Sequence, residues 1–230
     1  MTLIAIRRLL PALLLLLLSV AVKAQVVSVD STSNWRKSLK AGFNLSQAAF
    51  SGNWKGGGVN TFGFNTVFNY KANYKKDKTS WDNEIDLLYG MVNNEGQGVR
   101  KTMDRVYLDS KFGHKLTETW DAFVGINFLS QFANGYKYVK DANGVEQGQL
   151  ISESFSPIFI TMSLGMEWKP ESYFKMRFSP MAPRVTILRE NDGRYAAVDP
   201  VAPYGVTVGK AERFEWYAFN MVADLDKDIA

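Results

Sequence analysis

Cysteine is absent from the 230 residues and histidine occurs once, as His114. The first absence excludes a disulfide framework, a thiolate nucleophile, a sulfur-ligated zinc site and a lipoprotein anchor, which needs a cysteine at the mature N-terminus. The second excludes a metal site built on two imidazoles of one chain and leaves a Ser-His-Asp triad a single candidate base. Beyond the N-terminal end no apolar run approaches a spanning helix, so a mature chain living in a membrane has to cross it as a β-barrel. A strong charge bias is also missing. The formal net charge of +4 includes Arg7, Arg8 and Lys23; without those three it falls to +1, so the basic pI is no argument for nucleic acid as a partner.

What is present begins with Arg7 and Arg8 ahead of an apolar run from Leu9 to Val22, followed by Lys23, Ala24 and Gln25. A basic start, a run shorter than the roughly 18 residues of a spanning helix and a small residue at the cleavage point predict a secretory signal peptide cut after Ala24. An uncleaved anchor is the alternative. The expected organisation is a leader over 1–24, a short periplasmic segment over 25–34 and a β domain over 35–230.

Period 2 dominates the mature region. Over 35–47, Trp35, Lys37, Leu39, Ala41, Phe43 and Leu45 alternate with Arg36, Ser38, Lys40, Gly42, Asn44 and Ser46, which predicts a strand with one apolar face. The same pattern sets Phe62, Phe64, Phe68, Tyr70 and Tyr74 against Asn65, Asn69 and Lys71, and Trp81, Ile85, Leu87 and Tyr89 against Asp82, Glu84 and Asp86. Acids spaced two apart do not share a helical face, so helix loses to strand there. Alternation continues over 104–113, 119–132, 155–168 and 173–181, and less regularly over 204–219 with a bulge expected near Gly209. The fold class expected is all-β: an antiparallel up-and-down transmembrane β-barrel with eight strands visible. Most of these strands are longer than the 5 or 6 residues or so usual in soluble sheets and match the roughly 9 to 11 of membrane strands.

Connections alternate in length. Residues 75–79, 114–118 and 169–172 are short links, whereas 48–59, 92–103, 133–154 and 182–203 are long, the asymmetry of periplasmic turns and extracellular loops in outer-membrane barrels. Asn143-Gly144 and Asp192-Gly193 are expected at the tips of strand extensions within two of the long links. With the first strand running outward, Trp35, Trp81, Trp120, Trp168 and Trp216 all fall at the periplasmic end on the apolar faces, as an aromatic girdle requires; Trp54 falls in the first long loop. A soluble lipocalin-like barrel with its apolar faces inward is the competing fold, because period does not say which face is inside. Such a barrel has no reason to collect tryptophans at one level.

The segments GFNLSQAAFSGNWKGGG (42–58), WDNEIDLLYG (81–90), RKTMDRVYLDSKFG (100–113) and NFLSQFANGY (127–136) are similar to an uncharacterised β-barrel family of Bacteroidota, a domain of unknown function (3078-like). The resemblance spans about 35–228 and implies an outer-membrane location in a Gram-negative bacterium and a barrel fold; the family has no established catalytic residues to carry over. Its members continue further, and the acidic stretch over 224–228 supplies no terminal aromatic for the barrel assembly machinery. An incomplete, open sheet with room for further strands is therefore expected, with no ladder between 36–46 and 205–218.

Chemistry is sparse. Asp82, Glu84 and Asp86 are expected to point into the lumen beside Arg105 and Lys111 of the next strand, forming an ion-pair network that fills a narrow barrel, since unpaired buried charge is costly. Asp141-Ala142-Asn143-Gly144 lacks the remaining ligands of a calcium loop and reads as a turn. Gly56, Gly57 and Gly58 do not follow a strand into a helix, so a phosphate cradle has little support. No cofactor, metal or catalytic residue is expected. Three functions follow in order: a structural or binding barrel with a plugged polar lumen, a small-solute channel if further strands widen it, and a lipid-modifying enzyme. Outer-membrane lipid, lipopolysaccharide and the assembly machinery are the expected partners, and an external ligand is not named by the sequence.

Overall fold

The computed structural model describes residues 33–51, 53, 55–56, 58–216 and 219–225. The leader, most of the segment 25–34, Trp54 and Gly57 lie outside the described residues. Twelve strands follow one another: β1 (Trp35–Ala48), β2 (Thr61–Lys76), β3 (Thr79–Asn94), β4 (Gly98–Lys115), β5 (Trp120–Ser130), β6 (Gly135–Lys140), β7 (Glu146–Ser152), β8 (Ile158–Glu171), β9 (Phe174–Met181), β10 (Arg184–Ile187), β11 (Glu212–Glu215) and β12 (Asn220–Leu225). All pairings between them are antiparallel, and β1 to β5 pair consecutively before β5 pairs with β8. The fold is an all-β up-and-down sheet.

The last strands are fewer than their labels suggest. β9 and β10 both pair with β8, on either side of a break at Ala182 and Pro183. β11 pairs with β10 and β12 with β9, and the register is common to both: Glu215 stands opposite Arg184 and, five residues on, Asn220 stands opposite Ser179. Among the described residues the ten strands of the main sheet thus fill eight ladder positions, the last two each shared by two strands. Gly165 permits the close approach of the seventh, because a Cβ there would sit 2.0 Å from the carbonyl oxygen of Phe178, and the β8–β9 register shifts at this point.

Three expectations need correction. The final strand is not 204–219. Residues 203–205 form a 3-10 turn in which Tyr204 takes a φ of 54° and Gly205 one of 81°, and Gly209, at 85°, lies in a turn rather than a bulge. The link 92–103 shrinks to the turn 95–97, because β3 and β4 run on as a polar hairpin in which Asn94 pairs with Gly98. Asn143-Gly144 does lie at the turn of a hairpin, β6–β7, a separate two-stranded sheet. There Asp141 Oδ1 accepts the backbone N–H of Asn143 and of Val145, both at 2.9 Å. Asp192-Gly193, by contrast, sits in an irregular segment between β10 and β11.

Followed across the ladders onto β8, the start of β1 falls at Leu164, the β2–β3 turn at Met166, the β4–β5 turn at Glu167 and the β8–β9 turn beyond Glu171. Each step moves the same way along the strand, the stagger of a tilted, curling sheet. The sheet is open: among the described residues β1 pairs only with β2, β11 only with β10 and β12 only with β9.

Candidate functional site

The two faces of this sheet are inverted relative to a water-soluble barrel. Along one ladder row Trp81, Phe112, Val124 and Leu164 stand side by side, and all four are exposed, Val124 at 51% and Leu164 at 56%. Ile126 and Met162 repeat the pattern two residues on, at 45% and 55%. The opposite face carries the charge and is the buried one, with Glu167 only 1% exposed and Lys111 8%. There the polar faces of β4, β5, β8, β9 and β12 turn toward one another around a cavity of about 100 Å³.

Glu167 organises this interior. Its Oε2 lies 2.8 Å from Lys111 Nζ and its Oε1 2.6 Å from Lys169 Nζ. Arg177 Nε approaches Oε2 at 3.2 Å without hydrogen-bond alignment. Each cation has a second carboxylate: Lys111 pairs with Asp82 at 3.3 Å, Lys169 with Asp121 at 2.6 Å and Arg177 with Asp224 at 3.7 Å. Further up the sheet Arg105 pairs with Asp86 and Lys71 with Glu84, both at 3.3 Å, and the Asn69 amide donates to both of these acids. All five expected lumen residues, Asp82, Glu84, Asp86, Arg105 and Lys111, are therefore ion-paired on the polar face. The structure joins them to an acid on β8 that carries the densest pairing. Glu167, Asp121 and Arg177 alternate with Trp168, Trp120 and Phe178 and so share this face, but only the curl of the sheet brings β4, β8 and β9 within reach of one carboxylate.

The aromatic end is partly as expected. Trp35 packs against Tyr74 and Trp81, with ring centroids 5.3 and 5.7 Å apart, and Trp120 stacks on Trp168 at 6.2 Å. These four tryptophans sit at the short-turn end. Trp216 does not join them: it follows β11, whose Glu215 is opposite Arg184 and, through it, Thr161, seven residues short of Trp168 on β8. At a rise of about 3.3 Å per residue that puts Glu215 about 23 Å from the level of Trp168, and Trp216 one residue nearer. The reason is the displaced final strand, in which Leu225 and not Trp216 stands nearest the short-turn end among the described residues, opposite Phe174. His114 stands opposite Thr79 and Ala122, also at the short-turn end and far from the long loops.

At the other end the segment after β10 folds onto the sheet as a small packed unit. Leu188, Tyr195 and Val206 form its core, with Leu150 of β7 and Tyr204 packed against it. The Tyr195 hydroxyl donates to Glu153 at 2.9 Å and lies 3.0 Å from Ser156 Oγ, which accepts the Arg189 backbone N–H at 3.0 Å. Burial, with Glu153 beside it, pushes this hydroxyl above the ordinary tyrosine range. Arg194 clamps Asp192 through side-chain bonds of 2.9 and 3.0 Å, and those bonds, with a backbone N–H, hold the Asp192 carboxyl down at about 2. Sequence reading missed this unit because Leu188 and Tyr195 follow no regular period, while Tyr204 and Val206 alternate as a strand does.

Residues 45–136 match the model of a family described as Protein of unknown function (DUF3078). This is the family that the motifs resemble. The match is narrower than the resemblance over 35–228: it runs from late β1 to the start of β6 and carries Asp82, Glu84, Asp86, Arg105 and Lys111, while Glu167 and Arg177 lie beyond it. No curated protein and no solved structure matches the chain.

Proposed function

We propose that the chain is an exported outer-membrane β-barrel protein whose apolar face meets lipid and whose interior is closed by charge, serving as a structural or ligand-binding barrel rather than an open pore. One observation carries this reading: the row through Val124 and Leu164 is exposed while Glu167 on the other face is buried among three cations. In water that arrangement exposes apolar area and desolvates charge at once, both unfavourable; in a bilayer the first becomes favourable. The tryptophans at the short-turn end support an interfacial level there, with phospholipid and lipopolysaccharide as surroundings and the assembly machinery as the insertion partner.

The orientation that follows puts the short turns in the periplasm and the β6–β7 hairpin outside. Thiol labelling of intact cells tests it. Asn143→Cys is expected to react and Asp77→Cys is not, and the reverse result would overturn the orientation. A small-solute channel is the second reading, favoured by the free edges of β1, β11 and β12, where added strands would widen the sheet. Planar-bilayer conductance separates the two. The ion-paired interior leads to the expectation of no steady current, whereas ohmic, strand-dependent conductance would establish the channel.

A further inference from the structure

At the long-loop end a pocket of about 400 Å³ opens between the ends of β3 and β4, the segment 131–135, the β6–β7 hairpin and Tyr204. We propose that this pocket binds a neutral saccharide. The inference rests on the ligand-binding part of the reading above and not on membrane insertion.

Four tyrosines line the pocket, Tyr89, Tyr136, Tyr138 and Tyr204. Tyr136 and Tyr138 are two residues apart on β6, so their rings project from the same face of the hairpin, and both are exposed, at 46% and 37%. Neither hydroxyl is hydrogen-bonded to another described residue, which leaves each free to donate and accept. A pyranose ring has one face of C–H groups that packs on an aromatic ring and an edge of hydroxyls that needs donors and acceptors together. A tyrosine pair offers both, as pockets that orient a small ligand generally do.

Charge in the pocket is cancelled internally. Lys101 Nζ lies 2.7 Å from Asp104 and donates to the Ala133 carbonyl at 2.6 Å, while Asp104 accepts the backbone N–H of Phe132 at 2.7 Å and of Ala133 at 2.9 Å. Both charges are thus committed to holding the floor, and no free charge remains to attract an anion or a cation. Two of the wall tyrosines are held as well. Tyr204 donates to the Ile151 carbonyl at 2.7 Å, and the Arg100 guanidinium, paired with Glu146, covers one face of Tyr138 at 4.2 Å from its centre. Gly148 faces Tyr138 across the hairpin, and a Cβ there would come within 3.3 Å of the ring, so bare backbone backs the platform. Aromatic walls over a neutral polar floor suit an uncharged hydroxylated ring, not an ion.

The test is calorimetric titration of the full mature chain, refolded in a zwitterionic detergent without a sugar headgroup. The probes are maltotriose, cellotriose and N-acetylglucosamine trimer, with glucose 6-phosphate and indole as charged and aromatic controls. At least one neutral trisaccharide is expected to bind, with affinity falling tenfold or more in Tyr136→Ala and Tyr138→Ala and unchanged in Trp81→Ala at the opposite end. Both tyrosines lie in the separate hairpin, and heat-modifiable gel mobility checks that the main sheet still forms. No binding by any of the three sugars would overturn the proposal, as would binding only of the controls or affinity that survives Tyr138→Ala. A chain that binds sugar but fails to insert into vesicles would sink the membrane reading and leave this one standing.

Discussion

Replacing Glu167 by glutamine keeps the shape of the side chain and removes its charge, so it isolates the contribution of the interior ion pairs. Three cations lose a carboxylate at once. Lys111 keeps Asp82 at 3.3 Å and Lys169 keeps Asp121 at 2.6 Å, but Arg177 is left with Asp224 at 3.7 Å. Removing one partner of a buried pair costs about 3 to 5 kcal/mol because the other charge stays behind. With each of the three cations keeping a second carboxylate, the lower end applies, about 3 kcal/mol, or about two orders of magnitude in the folding equilibrium. Glu84→Gln is the control: its pair with Lys71 is solvent-reached, with 46% and 32% of the side chains exposed, and exposed pairs contribute at most about 1 kcal/mol. Urea titration of the protein folded in micelles, followed by tryptophan fluorescence and heat-modifiable gel mobility, compares the two. A Glu167→Gln midpoint no lower than that of Glu84→Gln would refute the claim that Glu167 organises the interior. Adding Arg177→Met to Glu167→Gln is expected to restore part of the loss, since it removes the cation left with the longest remaining pair.

Val124→Arg and Leu164→Arg, at adjoining positions on the exposed face, are expected to cost about 2 to 4 kcal/mol in a bilayer; at exposed sites of a soluble protein the same change stays within about 0.5 kcal/mol, so bilayer unfolding titrations separate the cases. Gly165→Ala has to displace the Phe178 carbonyl, 2.0 Å from the new Cβ, and is expected to cost about 3 kcal/mol, read as a lower urea midpoint with amide-exchange protection lost along β8 and β9. The Asp192–Arg194 clamp has its carboxyl held at about 2, below the unfolded value near 4. Its contribution is therefore complete above pH 4 or so and lost as pH falls through about 2. NMR shifts of residues 188–211 are expected to move in that window in the native protein and to be flat in Asp192→Asn.

Most of the sheet was legible because alternation over 35–47, 60–74, 81–91, 104–113, 119–132, 155–168 and 173–181 is a local property of each strand, and each of these segments is a strand in the structure. The last segment misled for a physical reason. Val206 and Tyr204 alternate as a strand would, but Val206 is drawn into the core with Leu188 and Tyr195, while Tyr204 packs against that core, and the true final strand begins only at Glu212. The hairpin beyond Tyr89 was hidden for the opposite reason. Asn93, Asn94, Glu95 and Gln97 are polar on both faces, so a projecting β-ribbon there leaves no apolar period. On the polar face, pairing across neighbouring strands, as in Asp82 with Lys111, followed from sequence order; Glu167 with Lys111 skips a strand and depends on the curl.

The inverted faces are tested most directly by sedimentation equilibrium of residues 25–230, with and without detergent, alongside circular dichroism. A folded β-rich monomer in micelles that aggregates when detergent is removed is the expected result. A folded monomer in plain buffer would contradict it, because an exposed row through Val124, Ile126, Met162 and Leu164 would then have to be stable against water.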